Sequence, residues 1–284
     1  MTIDLAAYLG RLGAYLERMG WTEPAAQRRR WEGPVQPDMK TLRELLLAHL
    51  WTFPFENLDV LLGRPIRLDL DSVQRKLVHD HRGGYCFEHA TLFAAVLEAM
   101  GYTVSRHLAR VVLTTPRAQS PRTHMFIVVD LPQGRFIVDP GFGGPGTHVP
   151  IILEDLGMTQ PGPSRHWMTR DGNVWVLRSR QGDKDIDLWV SDLSVDYAVD
   201  FEMSSQYVAT HPDSIFTANL MMNRFLNGGR ISLMNREVKK DMMGRITTWQ
   251  LEDRAALHRL LVDHFGIDLP AVETMRVPAV PDWN

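Results

Sequence analysis

Apolar residues recur at helical spacing through the first hundred positions of the chain. They do so over 5–19, over 42–50 and over 86–100. The third stretch stops at Gly101, and a glycine is the residue that commonly follows the end of a helix. The pattern therefore predicts three helices in a helical first segment, residues 1–100.

From residue 103 the pattern changes to short apolar runs that Pro and Gly residues separate. The runs lie at 110–113, 125–129, 136–138 and 174–177. Such runs, with turn residues between them, are typical of antiparallel strands. The middle segment, residues 101–190, is accordingly predicted to form an antiparallel β-sheet or barrel.

The last segment, residues 191–284, combines both periods, and we predict an α/β layer that closes the fold. Its elements are a polar helix over 195–206, strands over 230–233 and 246–249, and a helix over 252–265. Gly266 follows the last helix as a C-terminal cap. The proline-rich stretch 277–281 is interpreted as an extended tail.

Length and composition agree with an arrangement of several parts. With 284 residues, 44% of them hydrophobic, the chain can bury more than one core. Its 31 basic and 34 acidic residues leave a net charge of -3, which gives no bias toward nucleic acid or an anionic membrane. A small-molecule substrate fits this balance better.

The N-terminal stretch carries charges between its apolar residues, at Arg11, Glu17 and Arg18. A membrane span or a secretory signal would need an unbroken apolar core. The stretch therefore predicts an amphipathic helix and a cytoplasmic protein.

Cys86 is the only cysteine, so the chain forms no intramolecular disulfide and no Cys-rich zinc or iron-sulfur site. Gly83 and Gly84 come shortly before it and allow a tight turn into the predicted helix. A thiol on the first helical turn lies at the positive end of the helix dipole, which favours the thiolate. Cys86 is therefore a candidate nucleophile, although a free cysteine is also often just a small buried apolar residue.

A predicted hairpin brings His124 and Asp139 together. Residues 123–131 form one strand and 135–139 the next, with turn residues LPQG at 131–134. A two- or four-residue loop puts both side chains on one face, opposite or diagonally adjacent, whereas a three-residue loop separates them. In such a pair the aspartate can orient the histidine imidazole and stabilise its charged form beside a thiolate. Each residue alone, however, also fits an ordinary strand or turn position.

Four ordered motifs resemble those of the arylamine N-acetyltransferase family. They are FPFENL at 53–58, RGGYCFE at 82–88, TH at 123–124 and VDPGFG at 138–143. The resemblance continues through YVATHPDS at 207–214 and HFGI at 264–267, so it covers nearly the whole chain. One departure is His89-Ala90 after RGGYCFE, where the family often has a Gln or another residue and then Asn.

The resemblance implies an α+β fold: an N-terminal helical bundle, an antiparallel β-barrel and a C-terminal α/β lid, with a cysteine-peptidase-like catalytic core. It implies that Cys86, His124 and Asp139 form a triad, which carries acetyl from acetyl-CoA through an acetyl-cysteine to arylamines and arylhydrazines, without a metal. O-acetylation of arylhydroxylamines is a further implied activity. Similarity places the coenzyme beside Thr123, Phe142, Gly143, Thr210 and Ser214, and the acceptor beside Phe55.

Three other functions remain open from the sequence. A Cys-His-Asp order also serves hydrolases and transglutaminase-like enzymes, and an amide synthase of natural-product biosynthesis could use the same acyl-cysteine. A metal-binding module is the third, because His79, His81, Cys86 and His89 lie close together in the chain. The sequence leaves a monomer and a homo-oligomer equally open.

Overall fold

The structure is a computed structural model that describes residues 2–18, 37–154 and 165–283. Its N-terminal elements are α1 (Leu5–Arg18), α2 (Met39–Thr52), a short strand β1 (Phe55–Glu56), α3 (Leu58–Leu61), α4 (Leu70–Gln74) with a π-helical turn (Arg75–His79), and α5 (Cys86–Ala99). The helices predicted over 42–50 and 86–100 are confirmed. The helix predicted over 5–19 is confirmed as far as Arg18, since Met19 lies outside the described residues.

Local sequence explains where these helices begin and end. Asp38 caps α2, because its carboxylate accepts a hydrogen bond from the backbone N–H of Thr41 at 2.7 Å. Gly101 follows α5 with a φ of 86°, a left-handed conformation that glycine adopts without strain. Most of α5 is buried, so this helix lies in the middle of the helical core and holds its first residue rigidly.

Among the described residues, seven antiparallel strands form the middle of the fold. They are β2 (Thr103–Val111), β3 (Arg122–Leu131), β4 (Gly134–Val138), β5 (Ile151–Ile152), β6 (Arg165–Asp171), β7 (Val174–Gln181) and β8 (Lys184–Ser191). Their order is β5-β4-β3-β2-β8-β7-β6, and the edge strands β5 and β6 contact each other, which nearly closes a barrel. The strand β2 begins well before the predicted run 110–113, because its first half alternates exposed and half-buried residues instead of forming an apolar run.

The C-terminal part consists of a sheet with helices against it. Its elements are α6 (Ala198–Thr210), α7 (Ile215–Ala218), β9 (Met221–Leu226), β10 (Gly229–Met234), β11 (Glu237–Met242), β12 (Arg245–Gln250), α8 (Arg254–Leu260) with a π-helical turn (Leu261–Phe265), and 3₁₀ turns at Pro270–Thr274 and Pro281–Trp283. The sheet order is β1-β9-β10-β11-β12, so a strand from the first hundred residues forms its edge. The helix predicted over 252–265 and its cap at Gly266, with a φ of 67°, are confirmed.

Two C-terminal predictions are wrong in detail. The polar helix begins at Ala198 instead of 195, because the carboxylate of Asp200 accepts a hydrogen bond from the backbone N–H of Tyr197 at 2.8 Å and caps the helix there. The stretch 277–281 is not an extended tail. Its valines are buried in the C-terminal core, together with Trp283 in the turn that follows.

Strand β3 is buried on both of its faces, which matters for the site. Met125, Ile127 and Val129 belong to the core around the helices, whereas Phe126 and Val128 point into the barrel. By this alternation His124 shares the barrel-facing side. Among the described residues, no helix is long and apolar enough to cross a lipid bilayer.

Candidate active site

Cys86 is the first residue of α5, and close packing of the preceding turn fixes its position. A methyl group on Gly83 would lie 2.0 Å from the carbonyl oxygen of Pro54, and one on Gly84 would lie 2.6 Å from Glu88 Oε2. The two glycines therefore permit a close approach of neighbouring groups. Glu88 Oε2 also accepts a hydrogen bond, at 3.0 Å, from the backbone N–H of the residue before Cys86, which caps α5.

A buried charge network fastens this turn to the neighbouring chain. Arg82 donates to Glu56 Oε1 at 2.7 and 3.1 Å and to Asp59 Oδ1 at 3.2 Å. Lys76 lies 2.8 Å from Asp59 Oδ2 and 2.7 Å from Glu88 Oε1. Burial raises the pKa of Glu88, and the ion pair with Lys76 opposes that rise. Sequence reasoning missed this network, because Asp59 and Lys76 lie outside the two motifs that supply the other residues.

The departure from the family pattern, His89, belongs to a buried row of hydrogen bonds. The row joins Tyr8 Oη to His49 Nδ1 at 3.0 Å, His49 Nε2 to His89 Nδ1 at 2.9 Å, and His89 Nε2 to the carbonyl oxygen of Pro54 at 3.2 Å. Because that carbonyl oxygen can only accept, each imidazole donates from Nε2 and accepts at Nδ1. Burial lowers the pKa of both histidines, that of His89 to about 4, so both are neutral. This row supports the first turns of α5.

The predicted hairpin is confirmed. Leu131 pairs with Gly134, so Pro132 and Gln133 form a two-residue loop. Val138 pairs with Ile127, and in the same register the next residue, Asp139, lies diagonally to His124 on the barrel-facing side. The imidazole Nε2 of His124 lies 2.8 Å from Asp139 Oδ2, and both side chains are buried.

Two further groups orient the Asp139 carboxylate. The indole N–H of Trp189 donates to Oδ2 at 3.1 Å, and the backbone N–H of Gly141 lies 3.4 Å from Oδ1. Sequence reasoning missed Trp189, because it stands fifty residues away in β8 and no local pattern connects it with Asp139. The carboxylate thus has a fixed orientation toward His124.

The electrostatics of His124 favour its charged form. Burial lowers its pKa, but the charge and hydrogen bond of Asp139, together with a hydrogen bond to Cys86, outweigh this and raise the pKa to about 10. Since Nε2 is taken by Asp139, Nδ1 is the ring nitrogen left for Cys86. The Cys86 sulfur also lies 3.8 Å from the carbonyl oxygen of Thr123. His124 thus contacts Asp139 directly and lies beside Cys86, so a thiol, an imidazole and a carboxylate, the groups of a nucleophilic triad, come together here.

Gly141, two residues after Asp139, is the glycine that packs most closely against Cys86. A methyl group on Gly141 would lie 2.6 Å from Cys86 Cα, whereas one on Gly144 has nothing within 4 Å. We expect Gly141→Ala to push α5 away from His124, lowering kcat/KM about 10²-fold and stability by about 1–3 kcal/mol. Gly144→Ala is the matched control and should leave both unchanged. Steady-state kinetics and thermal unfolding measure the two effects, and equal behaviour of the two variants would show that this contact does not position Cys86.

Aromatic rings lie beside the triad and beside the loop that follows Asp139. The ring of Phe142 stands edge-on to His124, with centroids 4.9 Å apart. Gly143 has a φ of 73°, and a methyl group there would lie 3.2 Å from Phe55 Cγ, so Phe55 packs directly on this glycine. The ring of Phe216 lies 6.1 Å from that of Phe55. Phe216 was not predicted, because it lies in a short helix without an informative pattern, next to the YVATHPDS motif.

The hydroxyls of the three other predicted coenzyme contacts bond to nearby backbone. Thr123 Oγ1 donates to a carbonyl two residues earlier at 3.4 Å, Thr210 Oγ1 to one four residues earlier at 2.7 Å, and Ser214 Oγ to one six residues earlier at 2.6 Å. Ser214 also caps α7. Coenzyme binding by these residues stays a prediction.

The four candidate metal ligands are not grouped. His79 and His81 are exposed, whereas His89 is buried in its hydrogen-bond row. Within residues 2–18, 37–154 and 165–283, no three His, Cys, Asp or Glu side chains are placed to hold a metal ion.

Known proteins are similar to this chain over most of its length. A model of the N-acetyltransferase family matches residues 38–274. The arylamine N-acetyltransferase of Escherichia coli K12 is 38% identical over 84% of this chain and 85% of its own. The arylamine N-acetyltransferase / N-hydroxyarylamine O-acetyltransferase of Salmonella typhimurium LT2 is 35% identical over 84% and 85%.

Solved structures share the fold. The Mycobacterium marinum arylamine N-acetyltransferase in complex with CoA superposes with a TM-score of 0.83, at 33% identity, over 95% of this chain and 94% of that one. The Salmonella typhimurium enzyme gives a TM-score of 0.81 at 31% identity, over 98% and 97%. The predicted α+β fold, with its helical part, barrel and C-terminal layer and its cysteine-peptidase-like core, is confirmed.

Proposed function

Because the chain belongs to the arylamine N-acetyltransferase family and is an acyltransferase that uses acetyl-CoA, we propose that Cys86, His124 and Asp139 carry the acetyl group as a catalytic triad. The observation that carries this proposal is the buried contact of the three side chains at the start of α5. It joins a nucleophile, an imidazole and an orienting carboxylate, the arrangement that covalent acyl transfer needs.

In the first half-reaction the Cys86 thiolate attacks the carbonyl carbon of acetyl-CoA. A C–S bond forms to Cys86, the C–S bond to the coenzyme breaks, and the leaving thiolate takes a proton from the His124 imidazolium. One thioester replaces another, so the acetyl-cysteine has nearly the free energy of the donor. The enzyme stores the activated acetyl group until an acceptor arrives.

In the second half-reaction the acceptor nitrogen attacks the acetyl carbon. A C–N bond forms, the C–S bond to Cys86 breaks, and neutral His124 takes the proton that the amine loses. This restores the thiolate and the imidazolium, so protons balance over the cycle. Asp139 stabilises the charge on His124 and holds Nε2, which keeps Nδ1 directed at the reacting atoms.

The rings of Phe55, Phe142 and Phe216 support an aromatic acceptor, because they place flat apolar surface beside His124 and beside the loop that follows Asp139. Arylamines and arylhydrazines both offer a weakly basic nitrogen on such a ring. O-acetylation of arylhydroxylamines is proposed as well, since the Salmonella relative carries that activity in its name. We place the reaction in the cytoplasm, whose reducing conditions keep the single thiol of Cys86 free.

Steady-state kinetics and acylation of Cys86 test the covalent mechanism. Since acetyl-CoA must acylate Cys86 and release the coenzyme before an amine can react there, double-reciprocal plots for an arylamine should be parallel. Incubation with acetyl-CoA alone should add one acetyl group to the protein. Peptide mapping by mass spectrometry should place it on the peptide that contains Cys86.

The same experiment separates the other functions. Intersecting plots together with an unmodified Cys86 would refute the covalent transfer. A hydrolase or transglutaminase-like enzyme would cleave or cross-link peptides without coenzyme A, and an amide synthase would prefer carrier-bound acyl chains to acetyl-CoA. Acetyl groups found only on lysines would indicate nonspecific chemistry.

A further inference from the structure

The side-chain amide of Asn223 is buried in the C-terminal sheet. Asn223 in β9 is 4% exposed, and within the described part of the chain neither its Oδ1 nor its Nδ2 has a hydrogen-bond partner. Leaving both atoms of a buried amide unbonded is unfavourable, because the amide has lost its water and gained nothing in return. Most buried side-chain polar atoms do have a partner, so this residue requires a specific explanation.

The sheet register shows which way Asn223 faces. Asn223 lies directly opposite Phe55 in β1 and directly opposite Ser232 in β10, so the three side chains share one face of the sheet. The flanking residue Met222 points to the other face and joins the C-terminal core, as does Leu233. The face that carries Asn223 is therefore the one that the C-terminal core does not cover.

This face is turned toward the loop that follows Asp139. Phe55 packs on Gly143, as described above, and Arg230, on the same face of β10, donates to the carbonyl oxygen of Gly144 at 2.5 Å. Asn223 therefore lies on the sheet face that contacts this loop, directly beside Phe55. The hydroxyl of Ser232, directly opposite Asn223, is bonded to the carbonyl oxygen of Lys239 at 3.4 Å instead.

The row of paired residues that contains Asn223 and Phe55 continues to Gly84, close to the nucleophile. Phe55 pairs with Asn223 on one side and forms a bridge with Gly84 on the other. Neighbouring strands lie about 4.8 Å apart, so the backbone of Asn223 is roughly 10 Å from that of Gly84. Gly84 stands two residues before Cys86. This spacing is within the length of a substituted arylamine, or of the pantetheine arm of coenzyme A, whose reacting end is at Cys86.

We propose that Asn223 is a specificity-determining residue that binds, through Oδ1 and Nδ2 together, an amide-like group of a ligand whose reacting end lies at Cys86. A side-chain amide presents one acceptor and one donor side by side, so the group that satisfies both carries a donor and an acceptor side by side. Primary carboxamides and acylhydrazides have this arrangement in an acceptor. A trans secondary amide points its N–H and C=O in opposite directions, so the pantetheine of the donor would satisfy the two atoms with an N–H from one of its two amides and a C=O from the other. The proposal rests on the proposed function, because it assigns Asn223 to the binding of a substrate of that reaction.

The test is Asn223→Leu, which keeps the size of the side chain and removes both polar atoms. Because an unpaired buried amide is replaced by an apolar group, the free variant should unfold about 2–4 °C higher than the parent. It should nevertheless lose about tenfold in kcat/KM toward the substrate that carries the amide. A merely structural residue would not raise stability and lower kcat/KM for one substrate class alone.

Two pairs of substrates distinguish the source of the amide. In ping-pong kinetics kcat/KM for each substrate reports only its own half-reaction. If the acceptor supplies the group, the variant loses kcat/KM for 4-aminobenzamide and keeps that for aniline. If pantetheine supplies it, the variant loses kcat/KM for acetyl-CoA and keeps that for p-nitrophenyl acetate, an acetyl donor without pantetheine.

Unchanged kcat/KM for all four substrates would overturn the proposal, because a bound water would then satisfy Asn223 instead of a ligand. An equal loss for all four, together with a lower unfolding temperature, would also overturn it and show a structural role. Acetylation of aniline by the parent chain tests the proposed function separately. If the parent acetylates aniline and the kcat/KM values of Asn223→Leu are unchanged, only the role of Asn223 is disproved.

Discussion

The Cys86→Ser variant is expected to lose acetyl transfer by about 10³-fold or more while it stays folded. Serine has nearly the size of cysteine, so the packing of Gly141 against this residue is kept. A hydroxyl, however, is a far weaker acid than a thiol, and the imidazolium of His124 does not convert it to an anion at neutral pH. Acetyl-CoA should consequently leave no stable acetyl group on the variant, and release of coenzyme A with an arylamine measures the loss.

Binding of coenzyme A provides the control for this variant. Cys86→Ser should still bind coenzyme A, measured by calorimetric titration, and should unfold at nearly the parental temperature. A loss of both binding and stability would mean that the substitution had disturbed α5. Substantial turnover in a folded variant would contradict the assignment of Cys86 as nucleophile.

The elements that could be predicted from sequence are those whose local pattern already determines them. The buried helix α5 combines a Gly-Gly turn, an apolar run and a closing glycine, so its start and end were both predicted. The C-terminal stretch 277–281 was misjudged, because prolines favour extended chain locally. Its apolar residues are buried only because the C-terminal core, built from distant segments, covers them.

The same distinction applies to the candidate site, where contacts between neighbouring strands could be predicted and contacts from distant strands could not. The contact of His124 with Asp139 follows from a hairpin of two neighbouring strands, so turn residues and the alternation of side chains were enough to predict it. Trp189 and Asn223 reach the site from strands far along the chain, and neither stands in a motif. Only the order of strands in the two sheets brings them there, and that order is not legible in local periodicity.

We expect Asp139→Asn to lower acetyl transfer by about 10²–10⁴-fold. The carboxylate accepts from His124 Nε2 and from the indole N–H of Trp189, and it lies near the backbone N–H of Gly141. An asparagine with its oxygen at the Oδ2 position still accepts from both rings but carries no charge, and its NH₂ then faces the backbone N–H; in the opposite orientation its NH₂ faces both rings. In either orientation the negative charge that raises the pKa of His124 is gone, so His124 stabilises the Cys86 thiolate less and is a weaker base for the proton of the amine. Measured kcat/KM should fall for acetyl-CoA and for the arylamine alike.

The pH dependence of stability distinguishes this loss from a general disturbance. The pKa of His124 is raised from 6.5 to about 10, so the stabilisation by its charge is complete below pH 6.5 and is lost as the pH rises through about 10. Because Asp139→Asn removes that stabilisation, its deficit in free energy of unfolding should be largest near pH 6.5 and shrink toward pH 10. Asp130→Asn, exposed near the other end of the same hairpin, is the control and should show neither deficit nor loss of activity. Denaturant unfolding at several pH values gives the deficits. A deficit that does not vary with pH, in an enzyme of near-normal kcat/KM, would mean that Asp139 does not hold the charge of His124.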